Sequence, residues 1–377
     1  MTQKEFINQG QNFLKQMILE LSNLNIETQG LVIDHLCFRV ATNEEYLEYK
    51  KMIGEFADLL IEAEINKRPI ATYLLSQPIE FEQYKIDVIE LPAPKVGVNY
   101  RTGFEHLEIV TNQSFDLIEK KYPQIQFFRS NHNLINPELA FKTKSGQIKF
   151  HHQTLKRIIE IEKSNITDII FDLDSTLVSS KDFIYQINQE VFSAVLERQL
   201  SIEEVKEKYY PEFPKLFEVF EVTCEQKKLL ANRLWTEVSK KYSHPLYEGV
   251  YDLLKALKEL GYRLHIWTAR DKESAEHILD QHGVASFFET MSFSNDKSTK
   301  PHTEALTFPW GDRDPGTYIM VGDSYTDIKG AHNIRAFSIG ALWDSHLNHH
   351  ELLSHGADIC FFSLIDLKNW LRDRIKR

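Results

Sequence analysis

Residues 169–177 read IIFDLDSTL, and the fold turns on this stretch. The preceding run NITDIIF (165–171) is short and apolar, which suits a buried parallel strand. At its end two carboxylates follow at i and i+2, Asp172 and Asp174, and in extended chain such side chains share one side. Ligand sites of open α/β sheets lie beyond the carboxyl ends of their strands, where this pair falls. Two acids so close repel unless a cation neutralises them. Hard oxygen donors at that density suit magnesium, which also neutralises phosphate oxygens. Taken alone, the pair reads equally well as solvated aspartates in a strand-end turn.

The sequence downstream decides between these readings. YRLHIWT, GTYIMVG, AFSIGAL and DICFF are further strand candidates alternating with helix-period sequence, the pattern of a doubly wound parallel sheet. In GVYDLLKALKELG, Val250, Leu253, Leu254 and Leu257 share one helical face and Gly261 follows at C′. IWTAR sets Thr268 at a strand end, where its hydroxyl and the backbone N–H groups there, including that of Ala269, suit a phosphate oxygen. SNDKSTKPHTEAL supplies Lys300, and YIMVGDSYTDIKGA ends a strand at Gly322-Asp323 and opens a helix holding Asp327. The order is acid pair, hydroxyl, cation, acid pair, each at a strand's C-terminal end. Between these motifs, at about 179–243, the alternation gives way to helical sequence, which reads as a lid or cap.

This series resembles the four ordered motifs of the haloacid dehalogenase (HAD) superfamily, over residues 166 to about 345. The resemblance implies a Rossmann-like core with Asp172 as the nucleophile that accepts the phosphoryl group. Asp174 is implied as general acid and base, and Thr268 and Lys300 as phosphate holders. It implies magnesium bound by Asp172, Asp323 and the backbone carbonyl of Asp174, with Asp327 supporting the metal or Lys300 and Thr176 fixing the turn. Haloacid dehalogenases lack the second acid, so Asp174 favours phosphate chemistry. P-type ATPases need membrane helices, which are missing here, and a phosphomutase remains open. An insertion after the first motif resembles the C1 cap of phosphoglycolate-phosphatase-like members. Its aromatic residues Phe183, Tyr185, Tyr209, Tyr210, Phe217 and Trp235 are expected to be cap core rather than substrate contacts.

The chain has 377 residues, enough for two or more cores, with 42% hydrophobic and 26% charged residues. A net charge of −11 argues against nucleic acid or an anionic membrane as partner, but leaves room for a small phosphorylated metabolite in a local basic pocket. Cys37, Cys224 and Cys360 are widely spaced with no CxxC pair, so neither a disulfide framework nor a thiolate zinc site is expected. The first residues form an amphipathic helix pattern rather than a signal peptide, with Phe6, Phe13, Leu14, Met17, Ile18 and Leu21 at helical spacing. No apolar stretch approaches the roughly 20 residues that span a bilayer. A cytoplasmic location is expected, and nothing in the composition sets an oligomeric state.

Ahead of the acid motif, IDHLCFRV (33–40) and FEHLEIV (104–110) are both strand candidates with a histidine in the same place. A helix follows each, NEEYLEYKKMIGEFADLL and QSFDLIEKKY, and then more strands, closing with YKIDVIELPAPK and GQIKFHH. The simplest description is an α+β domain of paired βαβββ units over residues 1–160, joined through a helix in 152–164 to a hydrolase domain over 165–377. His35, Glu90, His106 and His151, two from each unit, suit one divalent metal. A lone strand histidine is more often a satisfied core residue; the repeat is what favours a site. DHLCFRV, KRPI, IDVIELPAPK, GFEHLEIV and NPELAFKTKSGQIKFHH resemble the vicinal oxygen chelate (VOC) superfamily, and most closely its glyoxalase-like, metal-binding bacterial members. By that resemblance His35, Glu90, His106 and His151 (or His152) are the ligands, for zinc, nickel, manganese or iron. Histidine stands where the last strand usually supplies glutamate. His346, His349 and His350 read as surface loop and Lys376-Arg377 as a solvated end.

The expected function is a magnesium-dependent phosphatase acting on a small phosphorylated metabolite through an aspartyl-phosphate, fused to a glyoxalase-like metal-binding module. The alternatives are a sensor that binds a metabolite through the VOC domain, or a bifunctional enzyme with VOC lyase, isomerase or dioxygenase chemistry.

Overall fold

The computed structural model describes residues 1–65, 67–130, 135–294, 299–306, 315–344, 347 and 349–375. His346, Lys376 and Arg377 lie outside the described residues. Two compact units result, Met1–Lys163 and Ser164–Arg377.

The first unit opens with α1 (Gln3–Asn23), whose N-cap Thr2 and Glu5 form a capping box. Two βαβββ units follow. One is β1 (Val32–Arg39), α2 (Asn43–Gly54), β2 (Ala57–Ile65), β3 (Arg68–Phe81) and β4 (Tyr84–Pro92). The other is β5 (Gly103–Val110), α3 (Phe115–Lys121), β6 (Phe128–Ser130), β7 (Glu138–Lys142) and β8 (Gln147–His151), and α4 (Leu155–Lys163) closes the domain. All eight strands join in one sheet of order β2-β3-β4-β1-β5-β8-β7-β6. In each half the first strand pairs parallel with the last, and the two first strands meet antiparallel at the centre.

Period-two alternation sorts the central strands into two faces. Leu36 and Phe38, Ile89 and Leu91, Leu107 and Ile109, and Ile148 and Phe150 enter the apolar core together with the buried face of α1. The residues between them, His35, Cys37, Glu90, His106, Glu108, Lys149 and His151, therefore share the other face. One expectation fails here. Helical sequence extended to Leu60, but α2 stops at Gly54, and Ala57–Ile65 pairs antiparallel with β3. Leu59, Leu60 and Ile61 thus serve an edge strand, because ladder pairing captures a segment whose local pattern fits either state.

The second unit carries a six-stranded, wholly parallel sheet of order β11-β10-β9-β12-β13-β14. Its strands are β9 (Asp168–Phe171), β10 (Arg263–Asp271), β11 (Phe288–Ser294), β12 (Tyr318–Gly322), β13 (Phe337–Ala341) and β14 (Ile359–Phe361). Strand β11 carries no clear apolar run and went unread in the sequence. The strand order reverses beside β9, which puts a crevice at the C-terminal ends of β9, β10 and β12. After β9 the chain leaves for four helices, α5 (Lys181–Leu196), α6 (Ile202–Glu207), α7 (Phe213–Val219) and α8 (Glu225–Ser239). These have their own apolar cluster around Phe192, Leu216 and Phe220. The outgoing and returning strands are pinned where Val178 bridges Leu246 and Ser179 N–H donates to Pro245 O at 2.8 Å. The remaining helices are α9 (Val250–Glu259), α10 (Lys272–Gln281), α11 (Tyr325–Asn333), α12 (His349–Ser354) and α13 (Leu364–Ile375). His349 and His350 thus begin a helix instead of lying in a loop. Among the described residues no helix is long and apolar enough to cross a membrane.

The N-terminal helix is integral to the first core. Phe6 is fully buried, with ring centroids 5.1 Å from both Phe38 and Phe104. Phe6→Ala is expected to cost about 3–5 kcal/mol, read by denaturant unfolding of the intact chain. A loss under about 1 kcal/mol would show that α1 does not help hold this core.

Candidate active site and a second side-chain cluster

Asp172 follows directly on β9, and its N–H donates to Val321 O at 2.9 Å, which ties the acid to β12. The chain then turns sharply, with Ser175 left-handed at φ 58° and Leu177 and Val178 N–H both donating to Leu173 O. Thr176 Oγ1 donates to Asp172 Oδ2 at 3.4 Å. Lys300 is buried, and its Nζ donates to Asp172 Oδ1 and to Asp327 Oδ1, both at 2.5 Å. Asp327 sits in the first turn of α11, where its Oδ2 accepts from Ser324 N–H at 3.0 Å. Gly322 makes room for it: a Cβ there would lie 2.2 Å from Asp327 Cγ. Oxygens of Asp172, Asp323 and Asp327 fall within 4.8 Å of one another.

The electrostatics show what the cluster lacks. Burial, with Asp327 and Asp323 adding to it and Lys300 opposing, pushes Asp172 well above the usual carboxylate range. Asp323 rises to about 7, through burial and the neighbouring Asp327, against the pull of Lys181 and Lys300. Lys300 and Lys181 together do not offset three clustered acids, two of them buried, and an all-carboxylate donor set of this kind fits a hard divalent cation.

Asp174 behaves differently. Its side chain points to Arg270, whose Nε and Nη2 donate at 2.9 and 2.5 Å. Although burial works against its charge, Arg270 holds the carboxyl below its ordinary range. Its side chain is accordingly absent from the carboxylate group formed by Asp172, Asp323 and Asp327. Arg270 itself is buried, donates to Ser239 Oγ at 2.5 Å and lies 4.8 Å over the Trp235 ring, both on α8. Sequence reading passed over Arg270; its place two residues after Thr268 at a strand end was the available signal. Thr268 is buried beside the acids, with Oγ1 accepting from Arg270 N–H at 3.1 Å.

Above these groups lies a cavity of about 860 Å³, lined by Asp172, Asp174, Thr268, Ala269, Lys300 and Asp323 and walled by the helical insertion. Tyr185, Tyr209, Tyr210, Phe217 and Trp235 line it too, which corrects the expectation that the cap aromatics are core. Tyr185, Phe217 and Trp235 do both, packing on the cap cluster while facing the cavity; Phe183 alone of the six stays in the packing. Amphipathic rings make this possible, with one edge in the core and the other lining a pocket.

On the first unit's polar face, His35, Glu90, His106 and Glu108 offer ligand atoms all within 4.8 Å of one another. Glu108 is the member the sequence reading lacked. It stands two residues after His106 on β5 and so shares its face. His35, His106 and His151 Nε2 lie 3.3, 3.1 and 2.8 Å from its oxygens, without the alignment of hydrogen bonds. Their Nδ1 atoms face Asp34 Oδ2 at 2.8 Å, Glu105 Oε2 at 2.9 Å and Asn136 O at 3.3 Å. An Nδ1–H given to such an acceptor leaves the Nε2 lone pair directed inward, as in metal-ligating histidines. His151 meets Glu108 and Glu138 in an adjoining group rather than joining His35, Glu90 and His106. His152 does not take part: its ring stacks on Phe115 and its Nδ1 faces Thr111 O. Lys149 ties Glu108 to Glu138 at 3.1 and 2.9 Å. Against burial, Glu108 and Asp34 raise His35 well above its usual range. Against burial likewise, His35, Lys149 and His151 hold Glu108 far below its own.

Arg270→Met strips a buried counter-charge from Asp174. Breaking such a pair costs about 3–5 kcal/mol, and the lower end is expected because the Asp174 side chain is 19% exposed. Thermal unfolding of Arg270→Met and Arg270→Lys reads it, with Lys recovering part of the loss; an unchanged melting temperature in Arg270→Met would contradict the pairing.

Comparison with known proteins places these arrangements. Residues 169–341 match the family model described as haloacid dehalogenase-like hydrolase, and residues 2–128 that of the YecM protein. The pyrophosphatase PpaX of Bacillus pumilus is 26% identical over 210 residues, covering 55% of this chain and 97% of that protein. Its namesake from Bacillus velezensis is 29% identical over 185 residues, covering 47% and 84%. A crystal structure described as a predicted phosphatase from Clostridium acetobutylicum covers 56% of this chain and 100% of its own, at 22% identity and a TM-score of 0.49. With the parallel sheet and the ordered acid, hydroxyl and lysine positions, the family matches lead to one conclusion: the chain joins an N-terminal YecM domain, of glyoxalase-like VOC fold, to a C-terminal haloacid dehalogenase-like hydrolase domain.

Proposed function

We propose that the C-terminal domain is a magnesium-dependent phosphatase that hydrolyses a small phosphorylated metabolite through a phosphorylated Asp172. The observation that carries this is the buried Asp172 itself, held by Lys300 within a triad of clustered acids that line a large cavity. The curated relatives are named as pyrophosphatases, so inorganic pyrophosphate is a first substrate to test.

A phosphoryl transition state asks for positioning and charge neutralisation. A magnesium ion bound to Asp172 and Asp323 would neutralise phosphoryl oxygens. Thr268 Oγ1 and the Ala269 N–H hold another oxygen, and Lys300 both binds the group and keeps Asp172 from the neighbouring acids. A carboxylate oxygen of Asp172 attacks phosphorus, and the bond from phosphorus to the leaving oxygen breaks. Asp174 gives that oxygen a proton, then takes one from the water that cleaves the acyl phosphate. For that work Asp174 must be protonated, so its contact with Arg270 has to loosen when substrate arrives.

Turnover of pyrophosphate and of a panel of phosphate monoesters should need added magnesium, and Asp172→Asn should lower kcat by about 10³-fold or more. Magnesium-independent turnover, or turnover unchanged in Asp172→Asn, sinks the proposal. Phosphoryl transfer to a second substrate hydroxyl in place of water would mark a mutase instead.

For the YecM domain we propose a single divalent ion held by His35, His106, Glu90 and Glu108, with His151 beside it. The inward Nε2 atoms, each with its Nδ1 tethered, support this reading. Mixed nitrogen and oxygen donors suit zinc, nickel, manganese or iron. Elemental analysis of the intact protein should find about one such ion per chain, lost in Glu108→Gln. Protein that stays metal-free after incubation with each of these metals would return the cluster to a structural ion-pair network.

A further inference from the structure

The polar face of the first unit continues past its histidines. On β1, Arg39 follows Cys37 and His35 at alternate positions and so shares their face. On β3, Thr72 lies opposite Glu90, which puts Thr72, Ile70 and Arg68 on that face as well. Cys37 pairs with His106 and Phe38 with Phe104, so Glu105 is the extra residue of a bulge in β5. Its Oε2 accepts from Arg39 Nε and Nη2 at 3.0 and 2.8 Å and faces His106 Nδ1 at 2.9 Å. One carboxylate thereby links Arg39 to the histidine cluster.

Both guanidinium groups are anchored, and each keeps a buried donor without an acceptor. Arg39 is buried, lies 4.8 Å over the Tyr100 ring and gives two nitrogens to Glu105; its Nη1 has no hydrogen-bond partner among the described residues. The half-buried Arg68 makes one hydrogen bond among the described residues, from Nη1 to Ala93 O at 2.7 Å, and its buried Nε makes none. The edge formed by Nε and Nη2 is where a guanidinium takes a carboxylate with two parallel bonds. Acids do act on both residues: Cys37, Glu105 and Glu90 on Arg39, and Glu90, Tyr100 and Cys37 on Arg68. They do not balance the group. Burial and Arg39 hold Arg68 below its ordinary range against that pull. Burial, Arg68, Arg39 and Lys149 do the same to Lys95, in the loop after β4, against Glu138. Cations that depress one another gain from an anion set among them.

We propose that Arg68, with Arg39 beside it, binds the carboxylate of a small organic acid on this face of the YecM domain, next to the histidine cluster. Two N–H edges fit the two oxygens of one carboxylate. A single negative charge also suits the place better than a phosphate dianion, which Glu90 and Glu105 would repel more strongly. The recognising groups are guanidinium donors, so the site stands independently of the metal ion proposed above and of the phosphatase reading.

The test is saturation-transfer NMR on the intact chain with acetate, lactate, pyruvate and benzoate, each beside its neutral amide. At least one acid is expected to bind saturably, and its amide about tenfold more weakly or not at all. Arg68→Met should weaken that acid about tenfold or more, and Arg68→Lys should recover part of the loss. Thermal unfolding checks that each variant is folded; should Arg68→Met not fold, Arg68→Lys and the comparison of acid with amide decide. The proposal is overturned if none of the four acids binds, if acid and amide bind alike, or if binding survives Arg68→Met unchanged. Inorganic phosphate that displaces the acid more tightly than the acid itself binds also overturns it, since the anion would then be a phosphate. Chelator treatment followed by dialysis should leave the binding in place. Loss of binding on chelation, with Arg68 intact, would assign the carboxylate to a metal and end the proposal. Protein found free of metal that still binds the acid keeps it, while the metal reading fails alone.

Discussion

The C-terminal domain depends on one ammonium group placed between two buried carboxylates. Lys300 Nζ reaches Asp172 and Asp327 at the same 2.5 Å, from a segment that follows β11, while the acids come from the ends of β9 and from α11. Three separate pieces of chain must therefore close on one point before any of these charges is tolerable away from water. An uncompensated buried carboxylate is expensive, so the fold and the site are specified together. The glycine at 322 is part of the same constraint, since any side chain there would displace Asp327. Even so, the lysine leaves the cluster short of positive charge, as the upward displacement of Asp172 and Asp323 shows. A stable structure that is electrostatically unfinished at one place is what a cation-dependent site looks like.

The insertion and the core meet over the same point. Arg270 leaves the end of β10, pairs with Asp174, donates to Ser239 and lies over Trp235. The second acid of the motif is thereby held by the element that also contacts the cap. Asp172 and Asp174, neighbours in sequence and chemically alike, end in opposite electrostatic states because one faces acids and the other faces a guanidinium. Burial alone would have raised both.

Much of this was legible in the sequence, for identifiable reasons. Strand-end residues such as Asp172, Thr268 and Asp323 announce themselves because an apolar run stops and a polar group follows. The face of α1 was readable because Phe6, Leu14, Met17 and Leu21 repeat at helical spacing and nothing competes for them. What stayed hidden depends on long-range pairing. Leu59–Ile61 fits a helix locally, and only the partner strand β3 makes it β2. Strand β11 has too few apolar residues to stand out, since it lies at the sheet's edge. Arg270 looked like an ordinary strand-end arginine until α8 and Asp174 were brought to it. The cap aromatics were assigned to packing because spacing reports that a residue is half-buried and not what lies on its open side.

Glu108 shows the same limit within the YecM domain, and it also separates the two sites physically. Each unit sets a lysine between two carboxylates, the buried Lys300 in one and the half-buried Lys149 in the other. The outcome differs because the second cluster also contains imidazoles. There Glu108 is held far below its usual range and His35 far above, so the group already supplies its own counter-charges. The ion proposed for the C-terminal site would meet acids that share one bonded lysine and remain short of positive charge, and for that a hard cation such as magnesium would suffice. The ion proposed for the YecM cluster would have to displace existing attractions between Glu108 and three imidazoles. The metal proposed for that cluster would need real affinity for imidazole nitrogen, which favours zinc, nickel, manganese or iron over magnesium or calcium.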